Sequence, residues 1–405
     1  MILATIGSGL TAVACAAAIG LGGTAQAEPQ HEAAAPFKKA LAQLAKDGPM
    51  IPGVIMAADS PRLGLAWRGA IGSLELHGAE PLQADDAFRI ASVTKVFIAA
   101  ATLRAFEKGQ FGLNDSIRGL ISPQTAAVLV KGGYDLDRIT VRHLLTHTSG
   151  LYDFATDPAW GDTIRENPQR SWTRLEQIIY AVDHGHKLFE PGAEYRYSDT
   201  AYSLLSEIIE RGTGKPFPAA TAELIDYKKL GLTRTHFEKL EPPPPGERRA
   251  HQYVGPFDVN GADPSSDLYG GGGIVTTADD LILFIRGLIR GTVFQDPATL
   301  PAALLLPPVA NPGGSDHTAL LARMKLGNQL CWGHSGYWMV LVAYCPDVDL
   351  ALAVSTNQNR FGPRSPDVET SYQALLTVLG AAVDDVATTS RAPAEKRTLK
   401  EARDR

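Results

Sequence analysis

Apolar residues follow two different periods along the chain, one typical of strands and one typical of helices. Short apolar runs that predict strands lie near both ends of the chain, at residues 54–56, 63–67, 330–332, 338–344 and 350–355. Helical spacing of Phe37, Leu41 and Leu44 predicts an amphipathic helix over 32–46. The pattern also predicts a closing helix over 367–379.

The middle of the chain is dominated by helical and loop-like patterns. Residues 93–106 are apolar nearly all round, which predicts a helix buried within a larger body. The pattern predicts one α/β layer built from both chain ends, with an all-helical lobe inserted between them. The predicted boundaries are a signal peptide at 1–27, the N-terminal part of the α/β domain at 28–111, a helical subdomain at 112–261, the C-terminal part at 262–385 and a disordered tail at 386–405.

Composition places the chain among ordinary globular proteins. It has 405 residues, of which 44% are hydrophobic and 20% are charged, so it can bury a full core. The formal net charge of -6 leaves no basic footprint, because nucleic-acid binding needs clustered Lys and Arg. We therefore expect a monomer with a small-molecule or peptide substrate, no nucleic-acid partner and no membrane contact beyond the N-terminal segment.

The first 27 residues are typical of an export signal. They contain no Asp, Glu, Lys or Arg, and they end in Ala-Gln-Ala, a small-x-small cleavage pattern before Glu28. We expect the mature protein to be exported, to a periplasm or outside the cell. The alternative is a membrane anchor formed by an uncleaved N-terminal segment.

Export leaves Cys331 and Cys345 as the mature cysteines, in a compartment where a disulfide can persist. They flank a predicted hairpin, so a cross-strand disulfide is one interpretation and two small buried apolar side chains are the other. Cysteine spacing of a structural zinc site is absent from the sequence. His143 and His147 are four residues apart, but without a third ligand we interpret them as packing residues, and we expect neither a metal nor a cofactor.

Ser92 and Lys95 open the predicted buried helix, about one turn apart. The hydroxyl and the amine therefore lie on one face, and the helix N-terminus supplies backbone N–H groups and a positive dipole. A lysine desolvated by an apolar helix can accept the proton of a serine nucleophile. The alternative is a helix N-cap followed by a solvated lysine, which fits a surface helix better than this apolar one.

Two further polar segments follow downstream. Residues 197–199 (Tyr-Ser-Asp) precede a predicted helix, and their alternative interpretation is a packed tyrosine beside an N-capping aspartate. Residues 333–336 (Gly-His-Ser-Gly) have part of the pattern of a nucleophile elbow. We exclude an elbow, because Tyr337 stands where the elbow needs glycine and a strand follows where the elbow needs a helix.

Taken in order, Ser92-x-x-Lys95, Tyr197-x-Asp199 and His334-Ser335-Gly336 resemble the three motifs of the serine β-lactamase and penicillin-binding superfamily. The likeness is greatest to D-alanyl-D-alanine carboxypeptidases, class C β-lactamases and β-lactamase-like esterases. It covers roughly residues 54–357 and is supported by the segments 143–151, 190–192 and 272–281. The resemblance implies a β-lactamase/transpeptidase-like α+β fold, with an antiparallel sheet flanked by helices.

By position, the resemblance implies that Ser92 is the acylated nucleophile, Lys95 its proton partner and Tyr197 the general acid/base. The backbone N–H groups of Ser92 and Tyr337 would form the oxyanion hole. The motifs leave open whether Lys95 or Tyr197 is the base. The substrate-binding residues implied or considered are Asp199, His334, Ser335, Gly336, Tyr337 and Arg323.

Two departures from the usual motifs bear on the substrate. His334 stands where β-lactamases of this kind usually have Lys, and a neutral imidazole holds a substrate carboxylate less firmly. Arg323 or Lys325 could supply that charge, and the alternative is that both are solvated strand residues. Asp199 stands where Asn is frequent, and its carboxylate accepts but does not donate a hydrogen bond. Asp199 could instead pair with Lys95, keep it protonated and shift the base role to Tyr197.

The resulting hypothesis is an exported serine hydrolase that works through an acyl-enzyme. A D-alanyl-D-alanine carboxypeptidase or D-amino-acid peptidase, acting on a peptidoglycan stem peptide, ranks ahead of a carboxylesterase. A β-lactamase comes third. An alternative from another class is a penicillin-binding sensor protein without turnover.

Overall fold

The computed structural model describes residues 32–46, 51–305, 307, 309, 316–360 and 367–401, with side chains up to residue 388. The predicted signal at residues 1–27 lies outside the described residues. Within the described ranges, the structure contains no helix with the length and apolar character needed to cross a membrane.

A six-stranded antiparallel sheet joins the two ends of the chain. Its strands are β1 (Gly53–Ser60), β2 (Leu65–Gly72), β8 (Ala322–Leu326), β9 (Gln329–Gly336), β10 (Val340–Cys345) and β11 (Leu350–Ser355). The order β2-β1-β11-β10-β9-β8 places the N-terminal hairpin beside the last strand. Every residue of β10 and β11 is buried, because helices cover both faces of these central strands, and this explains their continuous apolar runs.

Helices pack on both faces of the sheet. On one face, α1 (Ala35–Lys46) and α12 (Val368–Glu401) contact each other, and the predicted apolar stripe of α1 is buried there. On the other face, α10 (Ala278–Ile289) packs against β1, β10 and β11. The predicted α+β fold, with an antiparallel sheet between helices, is confirmed.

The helix α2 (Thr94–Glu107) lies between this layer and the helical region, and 12 of its 14 residues are buried. It packs against α7 (Asp199–Thr213) and α8 (Phe217–Ile225). The helix α2 is therefore buried, as its apolar surface predicts. The other helices of this half of the chain are α3 (Pro123–Lys131), α4 (Val141–Leu145), α5 (Pro158–Glu166), α6 (Arg174–His184), α9 (Tyr227–Leu230) and, later, α11 (Thr299–Ala303).

Short strands interrupt the segment 112–261, which the sequence predicts to be all helical. One small sheet has the order β3-β7-β4, and a separate pair is formed by β5 and β6; the strands are β3 (Phe88–Arg89), β4 (His236–Phe237), β5 (Tyr253–Val254), β6 (Phe257–Asp258) and β7 (Ile274–Thr276). Most of them have two residues, too few for an alternating pattern to show in the sequence. The prediction of an all-helical segment is corrected accordingly.

The predicted disulfide is present. Cys331 on β9 and Cys345 on β10 are bonded, with their Cα atoms 4.2 Å apart, and both side chains are fully buried. The closing helix also differs from its predicted end at residue 379, since α12 continues to Glu401. Much of the segment predicted as a disordered tail is therefore helical, because Ala, Glu, Lys and Arg are strong helix formers even without an apolar face.

Candidate active site

The nucleophile candidate Ser92 lies in a short 3-10 turn, Ala91–Val93, directly before α2. Ala91 has φ +45°, a left-handed conformation that costs free energy for a residue with a Cβ and is typical of functional turns. The turn is fixed by the sheet on one side, since a Cβ on Gly336 would lie 2.4 Å from the Ile90 carbonyl oxygen. Glycine in the third motif therefore lets β9 approach the backbone of the nucleophile turn.

Lys95 is almost completely buried, and its Nζ donates to three acceptors. These are Ser92 Oγ at 3.1 Å, Asp199 Oδ1 at 2.5 Å and the Gly271 carbonyl oxygen at 2.7 Å. An ammonium has three hydrogens, and each of them has an acceptor here. The pairing of Lys95 with Asp199 that the sequence suggested is present in the structure.

Tyr197 lies beside Lys95, and its hydroxyl is buried. The ring of Tyr197 stacks on that of His147 with centroids 4.4 Å apart, and Lys95 Nζ lies 4.8 Å from the centroid of the Tyr197 ring. Burial, and then the charge of Asp199, raise the pKa of Tyr197 well above its usual value; the Ser92 hydroxyl opposes this rise, without a hydrogen bond of standard geometry. Tyr197 is therefore a neutral phenol in the resting site.

A second carboxylate, Asp153, supports the first. Its Oδ1 accepts the backbone N–H groups of Asp199 at 3.0 Å and Ala155 at 3.2 Å, while its Oδ2 is buried without a partner among the described residues. Burial, followed by the charge of Asp199, raises the pKa of Asp153 to about 7. Sequence reasoning missed this residue, although it lies two positions after the segment 143–151 that supports the resemblance.

Three histidines surround Tyr197 and are uncharged. Burial lowers the pKa of His147, His334 and His317, and the nearby Lys95 charge contributes in each case. Nδ1 of His147 accepts the backbone N–H of Ser198, so its proton is on Nε2. Nδ1 of His334 donates to the Ser335 carbonyl oxygen, which leaves Nε2 as an acceptor.

His317 was not predicted. Its ring lies 5.8 Å from that of Tyr197 and 5.3 Å from that of His334. It stands just before β8, outside the three motifs, so no local sequence signal pointed to it.

The resemblance assigns an oxyanion hole to two backbone N–H groups. Those of Ser92 and Tyr337 make no backbone hydrogen bond within the described part of the chain. Tyr337 itself is half-exposed, and its hydroxyl accepts a hydrogen bond from Asn359 Nδ2 at 3.1 Å. The position of both residues is compatible with the role that the resemblance implies.

A glycine segment separates two carboxylates. A Cβ on Gly271 would lie 2.2 Å from Asp199 Oδ1, and a Cβ on Gly272 would lie 1.9 Å from Asp267 Oδ2. The run of glycines at 270–273 therefore lets the backbone pass close to the site and supplies the carbonyl oxygen that Lys95 contacts.

Two predicted substrate-binding residues are not brought to this site. Ser335 lies on the opposite face of β9 from His334, because side chains alternate along a strand, and it interacts with Tyr372 of α12. Arg323 is exposed on β8, and its guanidinium pairs with Asp316 at 2.8 Å. Both expectations are corrected by these partners. Of the six predicted substrate-binding residues, Asp199 and Tyr337 line the cavity beside Ser92, whereas His334 and Gly336 lie next to it without lining it.

That cavity has a volume of about 540 Å³ and is lined by Ser92, Tyr197 and Asp199 at one end. Its apolar walls are formed by Trp160, Ile164, Val254, Phe257, Val259 and Trp338. Among the residues described, no group of three or more His, Cys, Asp or Glu side chains is arranged to hold a metal ion. His143 caps its own helix through Thr140, whereas His147 packs on Tyr197.

The family comparison agrees with this geometry. The family profile described as Beta-lactamase matches residues 41–376. The chain belongs to the beta-lactamase family. The resemblance inferred from the three motifs is confirmed, and the match covers both sides of the cavity.

Solved structures of this family have the same fold. The D-amino acid amidase from Ochrobactrum anthropi SV3, complexed with L-phenylalanine amide, aligns over 89% of this chain and 99% of the amidase, with a TM-score of 0.72 and 25% identity. The D-stereospecific amidohydrolase from Streptomyces sp. aligns over 85% of this chain and 98% of that chain, with a TM-score of 0.69 and 26% identity.

Among curated proteins, Esterase EstB of Burkholderia gladioli is 30% identical over 182 residues, which are 44% of this chain and 45% of the esterase. The chain spans about half the length of the curated relatives it matches. These three proteins of the beta-lactamase family are hydrolases by name, in agreement with the prediction of a serine hydrolase.

Proposed function

We propose that the protein is a serine hydrolase that cleaves small D-amino-acid amides through an acyl-enzyme on Ser92. The observation that carries the proposal is the contact of Lys95 Nζ with both Ser92 Oγ and Asp199, beside Tyr197 and at one end of an apolar cavity. Such a site activates a hydroxyl and excludes most water from the acyl group.

In the proposed reaction, Ser92 Oγ attacks the amide carbonyl carbon and its proton moves to the Tyr197 hydroxyl. The phenol proton of Tyr197 passes to the leaving nitrogen, the C–N bond breaks and the amine leaves. Water then attacks the ester, and its proton returns to Ser92 by the same route. We assign Tyr197 as a relay because its pKa is raised, and Lys95 as the cation that stabilises charge developing on Ser92 Oγ.

The charge of the cavity favours an amide over a peptide with a free carboxylate. A D-alanyl-D-alanine carboxypeptidase needs a cation for the substrate carboxylate. The two guanidinium groups that line the cavity are already paired, Arg89 with Glu238 and Arg165 with Asp162, and His334 is uncharged. The D-amino-acid amides are suggested by the names of the two neighbouring structures.

A carboxylesterase is the second candidate. The likeness to Esterase EstB supports it, and the apolar walls suit an uncharged acyl chain. An ester also needs less assistance to its leaving group than an amide, so the same residues could serve it.

The test compares the protein with its Ser92→Ala variant on four substrates: D-phenylalanine amide, L-phenylalanine amide, D-alanyl-D-alanine and p-nitrophenyl butyrate. We expect Ser92-dependent release of ammonia, faster from the D-amide. Release of D-alanine as the main activity would support the carboxypeptidase, and release of nitrophenol alone would support the esterase. Intact-mass analysis with a fluorescent penicillin reports whether a slow adduct forms, as in a penicillin-binding protein or β-lactamase.

Asp199→Asn tests why the site lacks peptidase character. Asp199 Oδ1 faces Lys95, while the residue also lines the cavity. The asparagine can keep the acceptor toward Lys95 and offer an N–H to a substrate carbonyl. We expect the variant to gain hydrolysis of D-alanyl-D-alanine, and Asp199→Ala, which loses both groups, to lose all activity. Unchanged peptide hydrolysis in Asp199→Asn would refute this reasoning.

We propose that the protein is exported. The disulfide between Cys331 and Cys345 supports this, since such bonds persist in oxidising compartments. Cell fractionation and N-terminal sequencing test the proposal: a mature chain that begins at Glu28 is expected, and a reduced protein that stays in the cytoplasm would overturn it. A monomer remains the prediction for the oligomeric state, to be measured by light scattering.

A further inference from the structure

Asp267 is a carboxylate in the cavity for which the proposed reaction has no use. It ends a short 3-10 turn, Pro264–Asp267, and lines the same cavity as Ser92. Within the part of the chain that the structure describes, its carboxylate makes no hydrogen bond and no ion pair. Its Oδ2 occupies the space that a side chain on Gly272 would need, so the glycine allows the carboxylate to lie there.

The nearest cations are committed to other groups. Arg89 donates to both carboxylate oxygens of Glu238, at 2.6 and 2.9 Å, and to the Val259 carbonyl oxygen at 2.8 Å. Lys95 has an acceptor for each of its three hydrogens. Asp267 is therefore a negative group without a cation of its own.

Asp267 is half-buried, so in the empty cavity its carboxylate is only partly removed from water. The aromatic side chains Trp160, Phe257 and Trp338 line the same cavity. A ligand that fills the cavity displaces the remaining water from the carboxylate, which is unfavourable unless the ligand brings a cation with hydrogen-bond donors. The shape and charge together suit an occupant with an apolar body and one positive group.

We propose that Asp267 is a specificity-determining residue that binds an ammonium group of the substrate. The acyl part of the preferred substrate then carries a free amine together with an apolar side chain, and acyl groups without an amine are poor substrates. The inference rests on the proposed function, because it names the substrate class of the same cavity.

The protonation of Asp267 agrees with such a role. Burial, followed by the charge of Asp199, raises the pKa of Asp267 to about 7; Lys95 and Arg89 oppose this rise and Glu238 adds to it. In the empty cavity the carboxyl group is thus partly protonated near neutral pH. A bound ammonium favours the ionised form, so amine binding releases a proton and strengthens as pH rises through this range.

A kinetic test compares two substrates that differ by the amine alone, D-phenylalanine 4-nitroanilide and 3-phenylpropionyl 4-nitroanilide. We expect the protein to prefer the first in kcat/KM by about ten-fold or more, the usual contribution of a charged hydrogen bond. Asp267→Asn should lose this preference and keep its rate on the amine-free substrate. Asp279→Asn is the control, because that exposed carboxylate pairs with Arg68 and does not line the cavity. A preference retained in Asp267→Asn would overturn the inference.

Equilibrium binding separates this inference from the proposed function. Calorimetry on Ser92→Ala compares 2-phenylethylamine with 2-phenylethanol. Tighter binding of the amine that disappears when Asp267→Asn is added supports the role of Asp267, even if no amide is hydrolysed. Equal binding of the amine and the alcohol overturns it, even if amides are hydrolysed. Failure of the proposed function shows instead as absence of Ser92-dependent turnover with either nitroanilide.

Discussion

Replacing Asp153 by Asn should change how the stability of the protein depends on pH. In the folded protein, burial and the charge of Asp199 raise the pKa of Asp153 from 3.8 to about 7. The folded state therefore binds a proton more tightly than the unfolded chain does. Between about pH 4 and about pH 7 the native state holds more protons, so this residue makes stability fall as pH rises.

The size of the effect follows from the pKa of Asp153. At about 1.4 kcal/mol per pKa unit, the ionised carboxylate costs about 4 kcal/mol of folding free energy above about pH 7. Asparagine keeps an oxygen for the N–H groups of Asp199 and Ala155 but does not ionise. Its amide nitrogen takes the place of Asp153 Oδ2, which has no partner among the described residues. Burying that nitrogen without an acceptor costs free energy, but this cost does not vary with pH.

The assay is urea unfolding of the protein and of Asp153→Asn from about pH 5 to about pH 8. The free energy of unfolding of the variant should rise relative to that of the parent by about 2.5 kcal/mol across this range, because part of the full effect already lies below about pH 5. Asp263→Asn is a control without a slope in this range: burial raises the pKa of Asp263, but hydrogen bonds with Lys239 and Ser265 outweigh this and lower it below 3.8, so the group is ionised in both states above about pH 5. Parallel curves for Asp153→Asn and the parent would refute the reasoning.

Two further perturbations test the site and the sheet that supports it. Gly271→Ala places a Cβ 2.2 Å from Asp199 Oδ1, so it should displace this carboxylate from the lysine ammonium and lower kcat by about 100-fold. Gly119→Ala is the control, because there is open space around its Cβ, and it should have no effect. Equal rates in the two variants would contradict the proposed contact. The double variant Cys331→Ala and Cys345→Ala removes a disulfide between residues 14 positions apart, and it should lower the free energy of unfolding in urea by about 3 kcal/mol. Reduction of the parent protein should have a similar effect, and a reduced parent of unchanged stability would contradict this prediction.

The predictable parts of this fold are those with strong local patterns. The buried strands β10 and β11 are continuous apolar runs, and α2 is apolar on every side, so both could be recognised without knowledge of their neighbours. The pairing of Ser92 with Lys95 is also local, since it depends on the pitch of one helix turn. The predicted hairpin placed Cys331 and Cys345 on neighbouring strands, which allowed a disulfide but did not decide between a disulfide and two buried thiols.

The rest of the site depends on contacts between distant segments. Asp153 and Asp267 lie in turns, where aspartate is common for local reasons, and nothing in the sequence shows that their carboxylates meet the Lys95 network. The error at Ser335 was avoidable, because alternation along a strand already places it opposite His334. Arg323 was assigned from proximity in sequence, whereas its actual partner Asp316 was not considered.

The glycines at 271 and 272 leave space for two carboxylates, Asp199 and Asp267, to lie beside neighbouring positions of the backbone. Gly271 and Gly272 lie in a turn between Gly270 and Gly273, which have φ +103° and +105°; the space beside Gly271 is filled by Asp199 and the space beside Gly272 by Asp267. Asp199 is neutralised by Lys95, whereas Asp267 lacks a cation among the described residues, and the charge of Asp199 raises the pKa of Asp267. A substrate ammonium at Asp267 would reduce the negative potential that Asp199 contributes at the same glycine segment. Substrate binding at Asp267 and the negative potential of Asp199 beside Lys95 would thus be electrostatically coupled across two residues of backbone.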